Sequence, residues 1–317
     1  MSKAGSFDLA AVKHGGKAAL ARALAALETR PDAPETLALL HAAYGAPRAQ
    51  VVGLTGPPGV GKSTLMGALI GRWRKAGRSL GVIAVDPSSK LSGGALLGDR
   101  LRLAGDPEDG DLFVRSMAAR DRLGGLAEIT LAAMVLMRAL YDLVLIETVG
   151  VGQSETDVAS VADSVVFCVQ PGSGDALQFM KAGIVEIPQI AVVTKADVGA
   201  AARRAKSDLR GALSLAETPG AAATHWRVPV LAVSASNGEG LDELVTAIDG
   251  HQAWLLQAGR LEAQRRRQAE SWLRDGLALR FGQEGLKLLG PLSLAAADSP
   301  FAKIHALSKH LKVEYDG

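Results

Sequence analysis

Nine residues, Gly56-Pro57-Pro58-Gly59-Val60-Gly61-Lys62-Ser63-Thr64, follow the apolar run Val51-Val52-Gly53-Leu54-Thr55 and precede the helix-competent stretch Leu65-Met66-Gly67-Ala68-Leu69-Ile70. They match G-x-x-x-x-G-K-S between a strand and a helix, the context in which that spacing has a physical meaning. The glycines let successive backbone N–H groups turn inward around phosphate oxygens, and the helix start adds the positive end of its dipole. In such a loop the Lys62 ammonium neutralises β- and γ-oxygens, and the Ser63 hydroxyl ligates Mg²⁺. Pro58, Gly59, Val60, Gly61, Lys62, Ser63 and Thr64 are therefore the expected phosphate cradle. An ordinary glycine-rich turn between strand and helix has no need of the full pattern.

From Val51 to about Gly250, short apolar runs alternate with helical stretches. That alternation predicts an α/β architecture in which helices flank a mostly parallel central sheet. Strands are expected at 51–55, 81–85, 112–115, 143–147, 164–169, 189–194 and 229–233. Open sheets of this kind bind ligands outside the carboxyl ends of their strands, and the loops at those ends carry the remaining chemistry. Asp86, after the second run, can hold Mg²⁺ directly or through water, although a plain Asx turn before Pro87 has the same sequence. Residues 92–100 form a glycine-rich stretch suited to folding over a γ-phosphate, with the Asp99 carboxylate at its far end; a solvent-exposed loop has the same composition.

The run 143–146 feeds Glu147-Thr148-Val149-Gly150, an acidic-x-x-Gly pattern. It offers the Glu147 carboxylate to the Mg²⁺ shell and the Gly150 N–H to the γ-phosphate. Many GTPases carry Asp in the first place and Gln directly after the glycine. Here Val151 follows Gly150, and Gln153 comes three residues after it. An attacking water thus lacks an adjacent positioning group, and slow unassisted hydrolysis is expected. Thr194-Lys195-Ala196-Asp197 comes close to the guanine-reading pattern N-K-x-D. The Asp197 carboxylate can accept from guanine N1–H and the exocyclic amine, groups that adenine does not present, while the Lys195 stem covers the base. Thr194 stands where Asn is usual, and a modest loss of guanine affinity is the expected consequence. Ser234-Ala235-Ser236 lies where guanine-specific proteins offer a backbone N–H to O6.

Residues 8–45 have helical spacing, as in Leu20, Leu24 and Leu27, with a break at 31–34. From His251 a long polar helix is expected, carrying Trp254, Leu261, Trp272 and Leu277. Two tryptophans outside the core point to a helix–helix interface between two copies, with packing back onto the chain's own body as the alternative. Arg265-Arg266-Arg267 reads as a solvated face. Three segments result: a helical extension over 1–47, a nucleotide domain over 48–250 and a helical arm over 251–317.

Lys+Arg 35 against Asp+Glu 33 leaves +2, so bulk charge favours neither nucleic acid nor an anionic membrane as a partner. One cysteine, Cys168, in an apolar run permits no disulfide within the chain, and six scattered histidines form no C-x-x-C or H-x-x-x-H cluster. The start lacks an apolar signal segment, and no run approaches the ~20 apolar residues of a membrane span. A reducing, cytoplasmic setting is expected.

Five stretches, 56–64, 85–89, 93–100, 147–155 and 171–178, together resemble the methylmalonyl-CoA mutase-associated GTPases of the MeaB/ArgK type, a branch of the P-loop GTPase metallochaperones. The resemblance spans nearly the whole chain. It implies a P-loop NTPase fold with an N-terminal helical arm and a C-terminal helical dimerisation arm. It implies GTP/GDP and Mg²⁺ as ligands and homodimers as the assembly. The implied partner is an adenosylcobalamin-dependent acyl-CoA mutase, with adenosylcobalamin reached only through that partner. GTP hydrolysis would gate cofactor loading and protect or rescue the mutase. By the same resemblance, Ser63, Asp86, Asp99 and Glu147 surround Mg²⁺ and the γ-phosphate, and Lys181 falls in the segment called switch III, associated with signalling to the mutase. Lys62, Asp99, Glu147, Gln153 and Lys181 are thus the expected catalytic set. Three other readings compete. An amino-acid transport ATPase is opposed by Asp197 and by the lack of an apolar span. A nickel-insertion GTPase is opposed by the lack of a Cys/His cluster. A nucleotide sensor without turnover is separable only by assay.

Overall fold

The computed structural model describes residues 8–87, 109–119, 128–148, 157–172, 187–216, 225–295 and 298–315, with backbone alone at 86, 87, 118, 119, 216 and 311–315. Chain contacts divide it into two compact units, one of residues 50–127 and 142–261 and one of residues 1–49, 128–141 and 262–317.

The first unit is built on seven strands: β1 (Gln50–Thr55), β2 (Leu80–Pro87), β3 (Leu112–Ala119), β4 (Leu143–Glu147), β5 (Ser164–Val169), β6 (Ile190–Val193) and β7 (Val230–Ala232). They pair in the order β3-β2-β4-β1-β5-β6-β7, and each pairing is parallel. Every residue of β1 and β5 is buried, which is why these strands read as unbroken apolar runs rather than alternating ones. All seven strands fall where the apolar runs predict them. β2 runs on to Pro87, and β3 exceeds its predicted run most, continuing to Ala119. Its polar Arg115 and Ser116 end the apolar run, yet pairing with β2 persists through Pro87↔Ala119, because an edge strand tolerates polar side chains.

Helices α4 (Lys62–Lys75), α6 (Ala200–Ala216) and α7 (Leu241–Leu256) cover this sheet. Leu65, Met66, Leu69 and Trp73 of α4 join Leu241, Leu244 and Ile248 of α7 in one core with Val52, Leu54, Leu145 and Val166. A second core sets Ala202, Leu209 and Leu213 of α6 against Phe167, Val169, Ala191 and Val193.

The helical unit contains α1 (Leu9–His14), α2 (Gly16–Thr29), α3 (Pro34–Gly45), α5 (Glu128–Leu140), most of α8 (Arg260–Leu289) and α9 (Pro300–Tyr315). α5 packs on α2 and α3 and is buried from Ala132 through Ala139, as a helix apolar nearly all round must be. Its one buried cation, Arg138, lies 5.9 Å from the centre of the Tyr44 ring, and burial raises the Tyr44 phenol above its ordinary pKa.

Several expectations for the C-terminal part are corrected. The long helix does not begin at His251: His251 and Trp254 belong to α7, which runs through Gly250, and the chain breaks only at 257–259, where Ala258 (φ 53) and Gly259 (φ 66) are left-handed. α8 is itself interrupted at Gly282 (φ 67, ψ −171). Trp272 is buried within its unit and Trp254 is half-buried, stacked on His251 and covered by the Arg260 guanidinium at 4.4 Å. Packing back onto the chain's own body therefore accounts for both rings. The arginine triplet is not a simple solvated face either: Arg265 donates to the Ala49 carbonyl (2.8 Å) and Arg266 to the Leu294 carbonyl (2.8 Å).

Candidate functional site

The loop after β1 turns at Gly56, whose φ of 138° suits glycine, and a Cβ there would overlap the Cys168 carbonyl of β5. It closes at Gly61 (φ 98, ψ 25), the cap of α4, so that Lys62 is the first helical residue. Pro58, Gly59 and Thr64 are exposed, and Val60 is buried. Lys62 is only 6% exposed, and its Nζ donates to the carbonyls of Gly56 (2.8 Å) and Pro57 (2.9 Å). These neutral acceptors hold the ammonium within the turn of the loop and offset its burial. An anionic phosphate oxygen is the stronger acceptor and can draw the same ammonium outward. Beneath the loop, burial pushes the Cys168 thiol up to about 12, which makes it an inert packing group.

β4 lies beside β1 with Glu147 opposite Leu54, one residue before the end of β1. The Ser63 hydroxyl, in the first turn of α4, donates to Glu147 Oε1 at 2.7 Å. Thr148 fixes this strand end: its N–H donates to the Leu54 carbonyl (3.2 Å), and its hydroxyl reaches that of Thr55 (3.2 Å). Ser63 and Glu147, expected as Mg²⁺ ligands from residues 84 apart in sequence, are thus in contact. With its proton committed to Glu147, the Ser63 oxygen keeps lone pairs for a hard cation, and the carboxylate supplies the second oxygen type that Mg²⁺ takes. Ser63 and Glu147 would hold Mg²⁺ there, and the ion would supply positive charge against the phosphates. Asp86 is the last residue but one of β2, on the other side of β4 and two residues past the Ala84↔Glu147 pair, and its backbone alone is described. Asp99, Gly150, Gln153 and Lys181 lie outside the described residues.

The base-reading segment follows β6. The Thr194 hydroxyl lies 2.7 Å from the Val60 carbonyl in the phosphate loop and 3.0 Å from the Val169 carbonyl, with one proton to serve both. Threonine therefore keeps a direct brace between this segment and the phosphate loop. Lys195 adopts a left-handed backbone (φ 54, ψ 45), which costs a non-glycine residue about 1 kcal/mol or more and is commonest at functional positions. Its Nζ donates to Gln170 Oε1 (2.6 Å) and lies 3.3 Å from the Gly59 carbonyl. Asp197 is exposed in the short helical turn after it. The Ala196 N–H donates to the Val233 carbonyl (3.2 Å), which sets the segment Ser234-Ala235-Ser236 alongside; there the Ser234 and Ser236 hydroxyls are 2.8 Å apart. Sequence reasoning missed Gln170. Its only signal is a polar residue directly after the apolar run 165–169 of β5, at the strand's carboxyl end.

A phosphate loop, a serine–glutamate pair and a base-reading segment thus sit at the carboxyl ends of the parallel strands β1, β4 and β6. The family described as methylmalonyl-CoA mutase-associated GTPase MeaB matches residues 20–281. The chain belongs to the MeaB family. A GTPase of Pyrococcus abyssi is 43% identical over 262 residues, covering 82% of this chain and 79% of that protein. The mitochondrial methylmalonic aciduria type A homolog of Mus musculus is 40% identical over 232 residues, 72% of this chain and 55% of that protein. The crystal structure of a LAO/AO transport system kinase superposes with a TM-score of 0.68 at 26% identity, covering 98% of this chain and 99% of that one. This MeaB-family protein is a GTPase that binds guanine nucleotide and hydrolyses GTP to GDP and phosphate. Among the described residues no helix is long and apolar enough to cross a membrane.

Proposed function

We propose that this GTPase is a chaperone for an adenosylcobalamin-dependent acyl-CoA mutase and couples GTP hydrolysis to loading, protection or reactivation of that enzyme. The observation that carries the reading is the Ser63–Glu147 hydrogen bond beside the Lys62 loop, in a chain whose acidic-x-x-Gly motif continues with Val151. We read the Lys62 loop and the Ser63–Glu147 pair as the parts that hold a nucleotide and its cation, while the sequence supplies no water-positioning Gln next to Gly150. Such a site turns over slowly until a partner completes it, on the order of 10⁻⁴ to 10⁻² s⁻¹ by analogy with GTPases that lack a supplied catalytic group. The family's association with methylmalonyl-CoA mutase supports a mutase as that partner. The name of the mouse relative points the same way. Adenosylcobalamin is reached through the mutase, and Asp99, Gln153 and Lys181 are the proposed links between hydrolysis and docking.

Homodimerisation through the C-terminal arm belongs to the same proposal. Leu279 and Leu288 of α8, 56% and 64% exposed, are the apolar residues that a second copy would cover. GTP turnover measured with and without a cognate acyl-CoA mutase tests the central claim. Stimulation by the mutase, lost in Lys181→Ala, is expected; turnover indifferent to every acyl-CoA mutase offered would refute it. The solved relative's description as a transport system kinase favours a second reading, which a strong preference for ATP over GTP would support.

A further inference from the structure

Gln170 stands at the carboxyl end of β5, half-buried, 25 residues before the lysine it contacts. Lys195 is exposed, and an exposed lysine ordinarily samples many rotamers. Here both ends of its side chain are held. The left-handed backbone fixes the direction in which the stem leaves, and the ammonium is tied at 2.6 Å to Gln170 Oε1 and lies 3.3 Å from the Gly59 carbonyl. The Gln170 bond is the shorter, and a charged donor makes it the stronger kind of hydrogen bond. A four-carbon stem pinned at both ends is an apolar surface held beside the phosphate loop, on which a planar base can rest.

We propose that Gln170 is a positioning residue for the nucleotide base: by anchoring Lys195 Nζ it holds the lysine stem as a fixed platform for guanine. This rests on the reading that residues 194–197 face the base. The neutral amide suits the task, since it orients the ammonium while leaving its charge uncompensated toward an anionic nucleotide. Base binding thereby depends on a side chain outside both nucleotide motifs.

Gln170→Leu has similar length and no acceptor. It is expected to raise the KM for GTP and the Kd for GDP about tenfold, the size of one hydrogen bond to a charged group, while kcat changes less than about twofold. Binding of inorganic triphosphate, which has no base, should be unaffected. Gln170→Glu, which keeps an acceptor at the same reach, should retain GDP affinity within about threefold. A cycle with Lys195→Met, which keeps the stem and removes the ammonium, should show that Gln170→Leu adds no further loss in that background. If Gln170→Leu folds poorly, Gln170→Ala, which also lacks the acceptor, takes its place in the cycle. Unchanged GDP affinity in Gln170→Leu, an equal loss of triphosphate binding, or additive losses in the cycle would overturn the proposal. Asp197→Ala separates the two levels. Loss of the GTP-over-ATP preference there supports the guanine reading whatever Gln170 does, and an intact preference would overturn that reading itself.

Discussion

The two ends of the sheet both carry buried polar groups, and they differ in what those groups face. At the amino end, Asp163 accepts from the Val51 N–H (2.8 Å), and the Gln50 amide donates to the Ile248 carbonyl (3.1 Å). There too His251 Nδ1 lies 2.7 Å from the Ser164 hydroxyl, with the Trp226 and Trp254 rings against the imidazole at 4.9 and 5.6 Å. Asp163 and Ser164 are 0% exposed and His251 is 1% exposed, so this cluster is shut off from solvent. At the carboxyl end, Lys62, Ser63, Glu147, Thr194 and Lys195 are likewise paired, but beside exposed Pro58, Gly59, Thr64 and Asp197. Buried polarity by itself thus does not mark the site. What marks it is polarity that a ligand can reach, with the Lys62 ammonium held only by neutral carbonyls that a phosphate can replace.

Substitutions at the two ends should separate accordingly. Lys62→Ala has the largest expected effect: GTP turnover falls below detection and nucleotide binding is strongly weakened, while the thermal midpoint is kept, because the lost ammonium served the phosphates. Turnover near wild type in a folded Lys62→Ala would refute the phosphate-loop assignment. At the other end the readout is stability. Burial lowers the His251 pKa to about 4, partly countered by Asp163, so between pH 6.5 and 4 the unfolded chain binds a proton that the folded chain does not. Stability from this residue is therefore fully present above pH 6.5 and is lost as pH falls toward 4, by on the order of 2 to 3 kcal/mol. Urea unfolding at pH 7 and pH 5 should show the difference, and His251→Gln should reduce it while GTP affinity at pH 7 stays unchanged. A pH slope identical in His251→Gln would remove the imidazole from the account.

The contrast also explains what the sequence disclosed. Parallel strands buried on both faces leave apolar runs that are hard to miss, and the phosphate loop is a backbone structure whose glycines are its signature. Ser63 and Glu147 were legible because each is tied to a motif. Gly150, Gln153, Asp99 and Lys181 were nominated by the same logic and lie outside the described residues. Tertiary ties left no trace. Gly250 looks like a helix end but lies inside α7, whose apolar face continues to Leu255, while the real break falls at Ala258, a residue with no turn propensity. Arg265 and Arg266 look solvated until their carbonyl partners, 216 and 28 residues away in sequence, are seen. Gln170 belongs to no motif, and only proximity to Lys195 gives it a role.

Within the carboxyl end, the base side should respond less than the phosphate side. Asp197→Ala removes a carboxylate whose two hydrogen bonds to guanine are worth about 1.5–3 kcal/mol each, so GDP affinity should fall by about a hundredfold or more and the preference over ADP should collapse. Competition between the two diphosphates measures this directly; a preference that survives would assign discrimination to Ser234-Ala235-Ser236 instead.

The smallest effect belongs to Thr194. Its hydroxyl braces the Val60 carbonyl of the phosphate loop, and Thr194→Val keeps the shape while leaving that carbonyl without this donor. A neutral hydrogen bond contributes ~1 kcal/mol, so GDP affinity should drop several-fold, and Thr194→Ser should restore it. Thr194→Asn tests whether the brace already suffices. An amide can donate to Val60 and still offer a second N–H and a carbonyl to the base side, so it should tighten GDP binding relative to Thr194. Calorimetry on the three variants separates the cases. If Thr194→Val binds GDP as well as the parent, the brace contributes nothing and the two sides of the site are independent. If Thr194→Asn binds no more tightly than Thr194, the threonine hydroxyl already supplies what this position contributes, and base affinity must be sought in Lys195 and Asp197.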